Sequence, residues 1–399
     1  MTQHRRRGLL SGWLVAACFS VAAWSGGCTN TVNQPPPVPT PTDDGGGSTT
    51  DGGTTDGGTT DGGTTDGGGT TDGGTTDGGS DGGTADGGDG GVLGSGALTT
   101  STAVASNGAT FAIPLDSAPS ADGTKIFFTG VQPGSSPGGA AIFSTAATAG
   151  STPTVLAVAG NLGAPLGIAV SSDGNTVYVA DPAYTTSVTA ATGTTPGSTD
   201  DKGAIVSVPA GGAAATAPTV LTETADYSPR ALAVAKVGTV DTLYFIGDDK
   251  TTGAPGLYKD AAGAVTAVLA NVDAQAVTAH TDGTVYFLDA TGAVKKVAAG
   301  GTAATALAGA AAGPLNVNFP AGLAVSRDGK FLLVPAVDPA TGQQSIARID
   351  ATSGAITWLA LTLPATNLEA GGLHRAANAD VYSFVDTGAG SSGTVYLLK

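Results

Sequence analysis

The residues with the means to do chemistry in this 399-residue chain are chiefly acids, and they recur. A stretch built as apolar run, tight turn, apolar run is found in six places, and five of these close on aspartate: Asp181, Asp248 with Asp249, Asp289, Asp338 and Asp386. Ahead of the same stretches stand Asp226, Asp273 and Glu369, with Arg230 as the main counter-charge. Oxygen donors gathered on one face can hold a divalent cation such as calcium, or draw a basic partner through their field. The acids a metal reading would use are Asp181, Asp289, Asp338 and Glu369. An aspartate at a strand end has a plainer use as well, accepting backbone N–H bonds from the loop it precedes. Recurrence once per repeat favours the cap, because a single catalytic centre breaks a repeat rather than following it.

Other chemistry is thin. Beyond His4 the chain has only His280 and His374. Both fall at the end of a first apolar run, on the side opposite the acids, so they are expected as turn-proximal surface residues. No serine–histidine–acid set can be assembled from them, and no catalytic residue is assigned. Both cysteines, Cys18 and Cys28, lie in the first 28 residues. The rest of the chain therefore offers no disulfide, cysteine metal cluster or thiol nucleophile. Dispersed basic residues and a formal charge of −16 argue against nucleic acid as a partner.

The elements that position the acids come from the repeat. Its copies are "PLDSAPSADGTKIFFTG", "GIAVSSDGNTVYVADP", "RALAVAKVGTVDTLYFIGDD", "QAVTAHTDGTVYFLDA", "AGLAVSRDGKFLLVPAVDP" and "GGLHRAANADVYSFVDT". Asp122, Asp173, Asp282 and Asp328 each precede a glycine able to take the positive φ of a tight hairpin. Two more strand-like runs follow each hairpin, for example "GAIVSVPAGG" and "APTVLTET", so each unit reads as four antiparallel strands. Helical periodicity is almost absent. The expected fold is all-β, a six-bladed β-propeller of four-stranded antiparallel blades. First strands are rich in Gly and Ala, as crowding at a central axis requires, and second strands carry the aromatic bulk. The sixth copy runs out at "GTVYLLK" after three strands, while "GALTTSTAVAS" has no partner of its own. The N-terminal strand is thus expected to complete the last blade and remove the open edges.

Three segments follow. Residues 1–28 have a basic start, an apolar stretch and small residues before Cys28, the pattern of an export signal. Residues 29–95 pass from "NQPPPVPTPT" into Asp-Gly-Gly-Thr-Thr repeats with nothing to build a core, and read as a disordered tether. Eleven aspartates there, with no lysine or arginine among them, favour an extended spacer over an ordered calcium array. Residues 96–399 form the propeller.

The N-terminal segment resembles a bacterial lipoprotein signal, which implies lipidation of Cys28. Val15-Ala16-Ala17-Cys18 fits the cleavage box of that family better, but cutting there would leave the apolar run from Phe19 to Trp24 on the mature protein. The blades resemble NHL and YVTN-type repeats, on Pro165, Gly167, Ile168, Ala169, Val170, Asp173, Gly174, Tyr178, Val179, Ala180 and Asp181 in the best copy. Together these imply a lipid-anchored module of the cell envelope, at the outer membrane, held to the membrane by its anchor only. It is expected to be a monomer that binds a protein, glycan or small ligand on its acidic channel face.

The second expectation is a divalent-metal-dependent hydrolase or lactonase resembling the gluconolactonase-type six-bladed propellers. Those hold calcium in the channel on a glutamate, asparagines and an aspartate. Glu369 is the one glutamate so placed here, and Asn161, Asn271 and Asn318 match loosely. A lyase of the streptogramin-inactivating type is set aside because it leans on a channel histidine, which this reading does not supply.

Overall fold

A computed structural model describes residues 98–133, 139–158, 162–189, 198–201, 203–213, 217–307, 314–361, 368–388 and 393–399. The expected signal, Cys18, Cys28, the tether and Asn161 lie outside the described residues.

Strand β1 (Ser101–Ser106) comes first. Blade I follows as β2 (Ala112–Pro119), β3 (Lys125–Val131), β4 (Ala140–Ala146) and β5 (Thr154–Val158). Blade II holds β6 (Gly167–Val170) and β7 (Thr176–Asp181), then β10 (Ala204–Pro209) and β11 (Thr219–Val220). Between its halves β8 (Thr185–Thr189) and β9 (Ser198–Asp201) pair as a separate hairpin, where the sequence suggests only a loop. Blade III is β12 (Ala231–Val237), β13 (Val240–Asp249), β14 (Ala254–Ala261) and β15 (Ala264–Ala270). Blade IV is β16 (Ala274–Ala279), β17 (Val285–Asp289), β18 (Val294–Val297) and β19 (Thr305–Ala306). Blade V is β20 (Ala324–Val325), β21 (Phe331–Asp338), β22 (Gln343–Asp350) and β23 (Ile356–Trp358). Blade VI is β24 (Ala370–Arg375), β25 (Tyr382–Asp386) and β26 (Thr394–Leu398), completed by β1.

All six blades are antiparallel and four-stranded, the six-bladed propeller that the repeat implies. Each inner strand touches the next around the axis, and β24 returns to β2. Closure comes from β1 lying along β26, with Ser101 opposite Leu398 and Ser106 opposite Thr394. That pairing consumes an edge that would otherwise invite another chain.

The cores lie between blades. Each of six buried clusters draws residues from two neighbouring blades, such as Ile142 with Val179 or Leu288 with Leu332. Between blades VI and I the rings of Phe111, Phe128 and Phe143 pack together, with Phe128 and Phe143 stacked 5.0 Å apart. Small inner-strand residues are needed because backbones approach closely there: a Cβ on Gly167 would stand 3.0 Å from the Ala231 Cα.

The hairpins repeat one chemical device, Ser-x-Asp-Gly. Ser120, Ser171 and Ser326 donate to Asp122, Asp173 and Asp328 at 2.6, 2.6 and 2.7 Å. Each hydroxyl also accepts the backbone N–H five residues on, at 2.9, 2.9 and 3.1 Å. The glycines at 123, 174 and 329 sit at φ +71°, +77° and +71°. In blade IV His280 takes the serine's place, with Nδ1 3.2 Å from Asp282 Oδ1.

Candidate functional site

The recurring acids lie where the second strands end, and nearly all are occupied by their own loops. Asp181, with no exposed surface, accepts from the N–H groups of Gly163, Ala164 and Ala183 at 2.8, 2.9 and 2.9 Å. Asp386 accepts from Glu369 and Gly388, and Asp338 from Ala340 at 2.9 Å. Asp249 takes the N–H groups of Thr251 and Thr252. Asp289 accepts from the N–H groups of Thr291 and Ala293 and pairs with Lys295 at 2.8 Å. Burial opposes its charged form, but Lys295, Thr291 and the backbone donors outweigh that and hold its carboxyl down to about 2. Glu369 Oε2 accepts the Thr387 hydroxyl at 3.3 Å.

Among the described residues no group of three or more acidic, histidine or cysteine side chains could hold a metal ion. Asp181, Asp289, Asp338 and Glu369 each bond within their own blade and do not come together as one donor set.

The convergent chemistry lies deeper, on the channel wall. His374 Nε2 stands 3.1 Å from Asp116 Oδ2, with side chains 15% and 5% exposed. Asp116 Oδ2 also accepts the Ile168 N–H at 2.9 Å and Oδ1 the Ser117 N–H at 2.7 Å. One carboxylate therefore ties blades VI, I and II at the axis. Below it Ser117 donates to Ser383 at 3.0 Å.

Two bulges bring this pair together. In blade I Ala112 pairs with Val131 and Asp116 with Thr129, leaving three residues opposite one. In blade VI Gly371 pairs with Val385 and His374 with Ser383, leaving two opposite one. Such bulges re-aim the residues that follow them. Gly372, at φ +55°, has to be glycine, since a Cβ there would run into Asp116.

His374 is therefore not the turn-proximal surface residue the sequence suggests; it faces the channel beside Asp116. A histidine does reach the channel, contrary to the expectation under which a histidine-dependent lyase is set aside. His280 does lie at its turn, 3.2 Å from the Arg327 carbonyl oxygen.

Arg230 and Gln275 line the same cavity. They precede Ala231 and Ala276 as Leu166 precedes Gly167, so they stand at one level of the inner strands. Arg230 bridges Asp248 at 2.8 Å and Asp273 at 3.3 Å. At the hairpin end Asn378 bonds to three other blades. Its N–H donates to Ala121 and its Nδ2 to Ser172, while Arg327 donates to its carbonyl. Blades I, II, V and VI are thereby joined across that end.

A signal for these residues exists in the sequence. Counting back from the turn, Asp116 stands where blade II has Gly167, and His374 where it has Ala169. The informative acid is the one that departs from the repeat.

No family model matches the chain, and no curated protein matches it. Several solved structures are similar. A putative TolB from Agrobacterium tumefaciens is 10% identical, with 72% of this chain and 91% of that one covered at a TM-score of 0.47. The calcium-binding protein regucalcin from the same organism is 12% identical over 75% and 96%, TM-score 0.47. A gluconolactonase from Xanthomonas campestris is 12% identical over 75% and 96%, TM-score 0.45. At these identities the likeness is one of fold.

Proposed function

We propose that this chain is a lipid-anchored, tethered propeller of the cell envelope, outer-membrane in location, that binds a ligand on the face where the second strands end. One observation carries the binding face: Asp116, Arg230, Gln275 and His374 line one cavity, and Arg230 and Gln275 stand at the starts of β12 and β16, beside the ends of the second strands. Polar groups converging in a pocket otherwise walled by apolar residues are the ordinary mark of a ligand site. The anchor rests on Cys28 and the segment before it, and the tether would give the ring reach from the membrane.

A thermal-shift series on the full chain tests the binding face, using calcium chloride, an oligolysine and two neutral hexasaccharides. A ligand of the folded state raises stability by about 2.7 kcal/mol at a hundred times its Kd. At least one compound should raise the melting temperature, and Arg230→Ala should diminish the rise. No shift from any of them, or a shift indifferent to Arg230→Ala, contradicts the reading.

A further inference from the structure

Blades IV and V leave a cavity of about 220 Å3 between them, and it shares no lining residue with the channel cavity that holds His374. Protein interiors have few voids larger than a water molecule, so a space of this size is an exception with a cause. Blade IV is narrow on its outer side: β19 has two residues, whereas β22, across the joint, has eight. Ile349 near the end of β22 and Ile356 at the start of β23 line the part of the joint that blade IV fills only incompletely.

The wall is apolar. Val294, Leu307, Pro314, Leu315, Ile349 and Ile356 supply most of its side chains, and no charged side chain belongs to it among the described residues. Val294, Leu307 and Ile349 are buried, while Thr291 and Pro314 are exposed and place one side of the cavity at the surface. Its polar groups are engaged with the protein. The N–H groups of Gly292, Leu315 and Gly354 donate to the carbonyl oxygens of Asp289, Gly292 and Asp350 at 2.9, 2.9 and 2.8 Å. The Thr291 hydroxyl donates to Asp289 Oδ1 at 2.6 Å.

These groups set the chemistry of an occupant. A charge or a strong hydrogen-bonding group loses its water here and finds no partner in exchange. Water itself gains little, since a buried water needs several polar partners. A cavity of about 150 Å3 walled by leucine, isoleucine and phenylalanine stays dry and takes up benzene. At about 220 Å3 this one has room for such a ring bearing a small substituent.

We infer that the joint between blades IV and V is a binding site for a small uncharged apolar molecule, of the size of a substituted benzene. It is a second site, independent of the ligand face proposed above. Thermal shift and heteronuclear NMR of the full chain test it with toluene, and with benzoate as the same ring carrying a charge. Toluene should raise the melting temperature and move the amide resonances of Gly292 and Gly354, and benzoate should do neither. Leu307→Phe and Ile356→Phe, which fill the space, should each abolish the toluene shift. If a variant fails to fold, the two glycine resonances of the parent decide. Toluene without effect on the parent overturns the assignment. So do a benzoate shift equal to that of toluene, a toluene shift that persists in both folded variants, and glycine resonances that stay in place.

Discussion

His374 Nε2 lies 3.1 Å from Asp116 Oδ2 across the joint where the last blade meets the first. The same carboxylate takes an N–H from blade II, so one buried side chain spans three blades at the axis. Removing it should leave the N–H groups of Ser117 and Ile168 without acceptors, at about 1–3 kcal/mol each. Asp116→Ala is expected to destabilise more than His374→Ala, which vacates only the ring's side of the bond. Urea denaturation midpoints of the two variants check the order.

Capping and metal binding make different demands on Asp181. As a cap it serves three N–H groups, and Asp181→Ala should cost about 3 kcal/mol whether or not calcium is present. Asp338→Ala, which frees a single N–H, should cost about 1 kcal/mol or less. Melting curves with calcium or with chelator read both; a calcium-dependent loss at Asp181 would restore the metal reading.

Acid should weaken the ring through its depressed carboxylates. Ser171 and the Asn175 N–H hold Asp173 at about 2, Asp289 is held at about 2, and Asp122 and Asp328 are also lowered. A carboxyl lowered by folding stabilises above its ordinary value of 3.8, and that contribution is lost as pH falls toward 2. Stability measured by urea should therefore drop across this window, and Ser171→Ala should narrow the drop.

Asp260 runs the other way. Burial, and then the neighbouring carboxyl of Glu223, raise it above 3.8. A raised acid favours the fold below its unfolded value, and that contribution is lost as pH rises through the folded one. Asp260→Asn should therefore stabilise at neutral pH and lose its advantage in acid, provided the amide oxygen still accepts the Gly263 N–H. A parallel pair of melting curves shows whether it does.

Closure by β1 is testable by truncation. A chain beginning after Ser106 exposes β26 as a bare edge and removes Val104 and Ala105 from the blade VI–I core. It should lose its cooperative transition and self-associate, which size-exclusion chromatography would detect.

The architecture was legible because a propeller writes the same local decisions six times. The hairpin glycines, the small inner strands and the unpaired "STAVAS" each carry their meaning in a few adjacent residues. The pairing of Asp116 with His374 does not, since it depends on two bulges, 258 residues apart in sequence between the paired side chains. A bulge shifts facing by a residue without leaving a period to read, and so His374 moved from the expected turn to the channel. The recurring acids, more conspicuous in the sequence, proved to be occupied by their own loops.

His374 lines the channel cavity while His280 sits at a hairpin turn against the Arg327 carbonyl oxygen, and so the two rings report on different surroundings. The most direct test of the binding face follows their ring-proton resonances by NMR as the calcium, oligolysine and hexasaccharide panel is titrated into the full chain, with His280→Gln for assignment. Binding at the proposed face should move the His374 signals and leave those of His280 in place. Movement of His280 alone, or binding seen by calorimetry with His374 unmoved, would contradict the account.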